Sequence, residues 1–262
     1  MSRKFIRNLI PPLLFAVVVA CVWHFIVWAW EIQPFLLPAP RRVVQAMTDN
    51  ADSLFSAARF TALAALSGLA ASIVLGISIA VVFSQSALIR RSGYPYAIYL
   101  QTAPIVAIAP LLATWIGEGF IAIVVVVFII SLFPVITNST DGLLAVPEDL
   151  RELFRLHNAS RWQMLLQLQL PNALPRIMTG IKISSAMVVL GATVGEYFVG
   201  SFTRNDTGLG HAIFRARSLM QTDQLFATTI VCTMLSVVIF YAVSALGRML
   251  TRWEPGDGDH PT

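Results

Sequence analysis

Six stretches of this chain are nearly free of charge, and each is long enough to cross a bilayer. Residues 8–30, 60–89, 92–117, 119–140 and 224–247 contain no Asp, Glu, Lys or Arg, and 177–195 carries only Lys182. A helix needs about 20 mostly apolar residues to traverse the hydrocarbon core. Lipid offers backbone groups no hydrogen-bonding partner, so a spanning segment must satisfy them internally. The runs are continuous rather than alternating, which argues against a transmembrane barrel. They predict an all-α, polytopic membrane protein with six transmembrane helices. Composition agrees: 56% of residues are hydrophobic and 12% are charged, against roughly 25% charged in a soluble domain. A soluble core and a disordered chain are both excluded.

Arg and Lys mark the cytoplasmic side of such a protein. With the N-terminus inside, eleven basic residues fall inside: Arg3, Lys4, Arg7, Arg90, Arg91, Arg151, Arg155, Arg161, Arg176, Arg248 and Arg252. Six fall outside: Arg41, Arg42, Arg59, Arg204, Arg215 and Arg217. Both termini are therefore expected in the cytoplasm. Val18-Val19-Ala20-Cys21 looks like a cleavage box, but the apolar run of 8–30 far exceeds the 7–15 residues of a signal peptide. The first helix is expected to be retained, with Trp28 and Trp30 at an outer aromatic belt. Cys21 and Cys232 both lie in predicted spans, and no disulfide framework follows.

Within the second span, Ala64, Gly68, Ser72, Gly76 and Ala80 recur every four residues and share one helix face. Small residues let helices approach closely in a membrane; the ladder fits either a pivot or ordinary bundle packing. Pro104 and Pro110 should kink the third span. Glu196 ends the fifth span, where it either lines the pathway or outer gate, or is an interfacial acid that reaches water. Gln101, Thr102, Asn138 and Thr193 are further polar candidates for a pathway. No internal repeat is evident, which argues against an inverted-repeat secondary transporter.

The inside loop, 141–175, is the most informative segment. Pro147 suits a first helical position, and Glu148 and Asp149 favour a first turn. Leu150, Leu153 and Phe154 then form an apolar face. Asn158 can take the left-handed conformation that ends a helix. Ser160 and Gln163 fit a capping box opening a second helix, with Trp162, Leu165 and Leu166 on its apolar face. Pro171 and Pro175 are expected to close the segment before the fifth span. Two short amphipathic helices of about ten residues each therefore form a hairpin. It either lies on the membrane surface or its own bundle, or enters a groove on a soluble partner.

Residues 152–171 resemble the cytoplasmic loop of ABC importer permeases, whose form is E-A-A, three residues, G, nine residues, I-x-L-P. Glu152 stands at the Glu, Leu168 at the Ile, and Leu170-Pro171 at the end, with the spacing kept. Leu153 and Phe154 replace the two alanines, and Asn158 replaces the glycine. Residues 104–111, Gly117, Phe133-Pro134, Asp141-Gly142, Gly195-Glu196 and Gly208-Leu209-Gly210 are similar to the subgroup importing nitrate, sulfonates and taurine. Some relatives of that subgroup import riboflavin or thiamine-precursor pyrimidines. The resemblance implies a type I importer-like domain over 55–247. A first helix and outer segment (1–54) precede it, and a tail (248–262), expected to be disordered, follows. It also implies that Leu150, Glu152, Leu153, Phe154, Asn158, Ala159, Ser160, Trp162, Leu170 and Pro171 dock an ATPase. Gln101, Thr102, Pro104, Asn138 and Glu196 would belong to the translocation path or gate.

A phosphate loop needs Gly-Lys followed by Ser or Thr. The only lysines, Lys4 and Lys182, follow Arg3 and Ile181. An ATP-driven transporter built on this chain must borrow its ATPase. His24, His157, His211 and His260 are isolated, and no metal site, hydrolase motif or nucleic-acid-binding pattern is present. The sequence is thus read as a non-enzymatic permease subunit in the bacterial inner membrane. The resemblance further implies a cytoplasmic ABC ATPase dimer that binds ATP and Mg, a second copy of the chain that completes the path, and an extracytoplasmic solute-binding protein that delivers solute, with lipid around the spans. The alternative is an ion-coupled secondary transporter acting without an ATPase.

Overall fold

The computed structural model describes residues 2–199 and 208–251. Of the tail expected to be disordered, 248–262, residues 248–250 are instead the last turn of the final helix, and those from Arg252 onward lie outside the described residues. The described residues form α1 (Ser2–Ala29), α2 (Pro40–Asp49), α3 (Ala51–Gln85), α4 (Ala87–Thr102), α5 (Ile105–Ile116) and α6 (Phe120–Leu144). They continue with α7 (Glu148–Leu156), α8 (Arg161–Met164), a π-helical turn (Leu165–Gln169), α9 (Leu170–Val199), α10 (Leu209–Ser218) and α11 (Thr222–Leu250). The all-α expectation holds. Four straight stretches are long and apolar enough to span: Ala51–Gln85, Phe120–Leu144, Arg161–Val199 and Thr222–Leu250. The bent pair α4–α5 makes a fifth if taken as one span, and α1 contributes a shorter apolar helix, Leu14–Ala29.

The bundle is organised around α6, which packs between α3 and α9. The small-residue ladder explains the first contact. Ala64, Ser72 and Ala80 are fully buried, and Gly68 and Gly76 are buried beside them. A Cβ on Gly68 would lie 2.5 Å from Val127 Cβ, and one on Gly76 would lie 2.8 Å from Val135 Cγ1. The helices touch along a seam that admits no side chain at these two positions. On the other flank, Gly180 of α9 faces the Pro134 carbonyl and Asn138 of α6. Ser184 Oγ donates to the Ser131 carbonyl at 2.7 Å, bridging α9 to α6. Ser131 Oγ itself donates to Val127 O at 2.8 Å. These two hydroxyls are thus satisfied by backbone carbonyls.

Two expectations need correction. The third span is not one kinked helix: α4 and α5 meet at 97°. The residue before a proline is pushed out of the helical region, and Ala103, at ψ 132°, is extended ahead of Pro104. Pro110 sits inside α5 without breaking it. Nor is the second arm of the hairpin a separate ten-residue helix closed by Pro171 and Pro175. Instead α8 runs through the π turn into α9 without a break. In that turn the Leu170 N–H reaches Leu165 O, one residue further back than in an α-helix. The widened turn lies immediately before Pro171, whose ring crowds the preceding turn of a regular helix.

Candidate functional site

The cytoplasmic-loop residues fold as the caps in the sequence require. In α7, Glu148 and Asp149 occupy the first turn and Arg155 the last, each favourable to the helix dipole. Asn158 ends it at φ 54°, in the left-handed region. The Ala159 N–H donates to Phe154 O at 3.0 Å and the Asn158 N–H to Arg155 O at 2.9 Å. This bond pair is a Schellman cap, and asparagine tolerates its left-handed residue. The capping box is complete: Ser160 Oγ accepts from the Gln163 N–H, and Gln163 Oε1 accepts from the Ser160 N–H at 2.7 Å.

This segment leaves an apolar face uncovered. No residue of the nine in α7 is buried. Leu150 and Leu153 are exposed, Phe154 is half-buried, and Leu156 is 80% exposed. Glu152, Ser160 and Trp162 are also exposed, Trp162 at 71%; Ala159 is half-buried. The structure therefore brings most of the predicted docking residues to one exposed hairpin. Leu170 and Pro171 lie instead at the root of α9, beyond the π turn.

Arg151 fastens the hairpin to the bundle and Arg176 ties the root of α9 to α6, roles the charge count did not anticipate. Arg151 Nη2 donates to the Leu144 carbonyl at 2.8 Å, and Arg176 Nη1 to the Asp141 carbonyl at 3.0 Å. Both carbonyls belong to the last turn of α6, where helices leave acceptors unsatisfied. The Glu148 carboxylate lies 3.9 Å from Arg151 and 3.6 Å from Arg155; on an exposed helix such pairs contribute little. Gln85, at the end of α3, donates to Gln169 Oε1 in the π turn at 3.4 Å.

At the opposite end, Glu196 does not reach the surface: it is 2% exposed. Its Oε2 accepts from the Gly210 N–H at 2.6 Å, while Oε1 is buried without a partner among the described residues. Leu209 is fully buried, and its N–H donates to Thr61 Oγ1 on α3 at 2.9 Å. The Gly195-Glu196 and Gly208-Leu209-Gly210 stretches, far apart in sequence, thus form one clasp between α9, α3 and the start of α10. Side chains are excluded there: a Cβ on Gly208 would collide with the Glu196 carboxyl group, and one on Gly210 with the Thr193 carbonyl. Thr61 was not foreseen; a threonine inside an apolar run carries no signal of its partner.

The other pathway candidates do not converge. Gln101, Thr102 and Pro104 are exposed at the α4–α5 elbow. Asn138 is half-buried on α6 and donates to its own helix at Pro134 O, 2.8 Å away. Thr193 likewise donates to Val189 O at 2.7 Å. Lys182 is exposed, with Nζ 5.3 Å from the Phe240 ring centroid.

With this geometry in hand, comparison with known proteins is informative. Residues 72–253 match the family described as "Binding-protein-dependent transport system inner membrane component". The chain is 33% identical to the formylaminopyrimidine transport permease protein ThiX of Halalkalibacterium halodurans, over 94% of this chain and 96% of that one. It is 27% identical to the putative aliphatic sulfonates transport permease protein SsuC of Bacillus subtilis, over 92% of this chain and 87% of that one. In fold it is similar to the inward-facing MetNI methionine ABC transporter. The TM-score is 0.66 at 19% identity, covering 76% of this chain and 96% of the other.

Proposed function

The chain belongs to the binding-protein-dependent transport system inner membrane component family, and from that premise we propose how it works. As a member it is the membrane permease of an ABC importer, a transport component of the inner membrane whose ATPase is a separate subunit. In our reading two copies pair to enclose the path, with six spans each and both termini cytoplasmic. The importer-type unit is 55–247, preceded by the first helix and outer segment. The hairpin enters a groove on each of two ATPase subunits, and a solute-binding protein delivers solute at the far side. The cargo is a small polar solute: a pyrimidine or riboflavin-type vitamin precursor, as ThiX suggests, or a sulfonate, taurine or nitrate, as SsuC suggests. Gln101, Thr102, Pro104 and Asn138 contribute to the path, and Glu196 to the outer gate.

One observation carries the docking reading. A nine-residue helix is marginal in isolation, yet α7 has no buried residue and presents Leu150, Leu153 and Leu156 to solvent. A helix-in-groove contact supplies the missing burial. The test is co-purification of this chain with candidate ATPases. Phe154→Arg or Glu152→Arg is expected to abolish the complex while leaving the permease folded. A complex that survives both substitutions sinks the docking reading, and solute uptake with no ATPase present favours an ion-coupled transporter.

A further inference from the structure

At the end of the bundle remote from the hairpin, α2, α3, α10 and α11 surround a cavity of about 100 Å³. Its distance follows from α3. Gln85, at one end, touches the π turn, whereas Asn50 and Ser53, at the other, line the cavity. The 35 residues between these ends span about 52 Å at 1.5 Å per residue.

The lining is rich in donors and lacks acids. Asn50, Ser53, His211, Arg215, Gln224 and Thr228 supply its polar surface, and alanines and Leu54 the rest. No carboxylate among the described residues lines it. Asp223, next in the chain to Gln224, turns its Oδ1 to the Gln224 N–H at 2.9 Å. The ion pairs among the described residues both use Glu148; Arg215, exposed at the cavity's rim, has none among them. Burial, and then the field of Arg215, hold the His211 pKa below its ordinary value. Among the described residues the cavity is therefore lined by a cationic group and no acid.

We propose that this cavity binds a small oxyanion, a carboxylate, sulfonate or phosphate group, held by the Arg215 guanidinium and the amides of Asn50 and Gln224. A guanidinium presents paired donors that match such groups. The volume is that of about three waters, at roughly 30 Å³ each. It accepts a headgroup of four or five heavy atoms. An anion there joins four helices at once. It also sits one residue from the Glu196 clasp, because His211 follows Gly210 directly.

The inference does not depend on the transport reading, so its test uses the purified full-length permease alone, in detergent, without ATPase or binding protein. Thermal unfolding is followed by tryptophan fluorescence while chloride is replaced stepwise by acetate, methanesulfonate or phosphate at constant ionic strength. At least one anion should raise the midpoint saturably, by about 2 °C or more. The anion that does so identifies the chemistry. Arg215→Gln and Gln224→Leu should each remove the shift. Arg217→Gln, whose guanidinium contacts the Tyr197 hydroxyl instead, should keep it. No shift with any of the three anions overturns the proposal. So does a shift that fails to saturate or is equal in wild type and both cavity variants, either of which would mean an adventitious ion only.

Discussion

The clasp around Glu196 makes a prediction sharp enough to fail. Gly208 has φ −85°, a value open to any residue, so Gly208→Ala introduces no backbone strain. Its effect comes from space: the new methyl would occupy the position of the Glu196 carboxyl group. To admit it, the carboxylate must leave the Gly210 N–H, now 2.6 Å away. A buried hydrogen bond is worth about 0.5–1.5 kcal/mol, and over-packing a tight site costs about 1–3 kcal/mol. Since partial relaxation shares these costs, Gly208→Ala should destabilise by about 2–4 kcal/mol. Glu196→Ala removes the obstacle together with the bond. In that background the Gly208→Ala penalty should fall to about 0.5 kcal/mol, so the coupling between the two sites is about 1.5–3.5 kcal/mol. The assay is equilibrium unfolding of the four proteins in mixed detergent and SDS micelles, read by circular dichroism. If Gly208→Ala costs the same with Glu196 present or absent, the carboxylate is not what Gly208 accommodates, and the clasp is misassigned.

Two further predictions concern the hairpin. Asn158 holds φ 54°, where a β-branched residue is strained by about 1–2 kcal/mol and glycine is not; Asn158→Val should therefore weaken ATPase co-purification, and Asn158→Gly should preserve it. If valine is tolerated as well as glycine, the left-handed cap is not needed for docking. Arg151→Gln removes a charged bond to the Leu144 carbonyl, worth about 1.5–3 kcal/mol. Amide exchange over 148–156 should then speed about tenfold or more, with α6 unaffected; unchanged protection would show that Arg151 does not anchor α7.

The caps were legible because they are local. Asn158, Ser160 and Gln163 act within four residues of one another, so their roles follow from spacing alone. The ladder on α3 was legible as a face, but not as a choice between pivot and packing, because its partners Val127 and Val135 lie some 60 residues away. The π turn was hidden for the opposite reason. Pro171 and Pro175 are ordinary helix-ending signals, and only the continuation of the apolar core through Leu165, Leu168 and Ile177 favours keeping the helix intact and widening one turn. Glu196 shows the limit of reading charge by position. An acid near a span's end suggests water, yet the buried Gly210 N–H gives it a partner that only the folded chain supplies.

The attachments of the hairpin constrain what any partner could transmit through it. Arg151 binds α7 to the last turn of α6, while α8 and the π turn make its other arm part of α9. A load on α7 would reach both helices, and these two cannot easily slide. Gly180, Gly191 and Gly195 bring α9 against α6 with no room for a Cβ to pass freely, and the Ser184–Ser131 bond crosses the seam. Motion would therefore be carried as a body rather than absorbed between them. The same α9 carries Glu196 in its last turn, about 39 Å from Leu170 at 1.5 Å per residue, where the clasp passes to α10. The sharpest bend in the bundle lies elsewhere. The Ala103–Pro104 break leaves α4 and α5 joined by extended backbone at 97°, with Gln101 and Thr102 exposed beside it. A closely packed α6–α9 pair beside a sharply bent α4–α5 elbow is the arrangement this sequence builds.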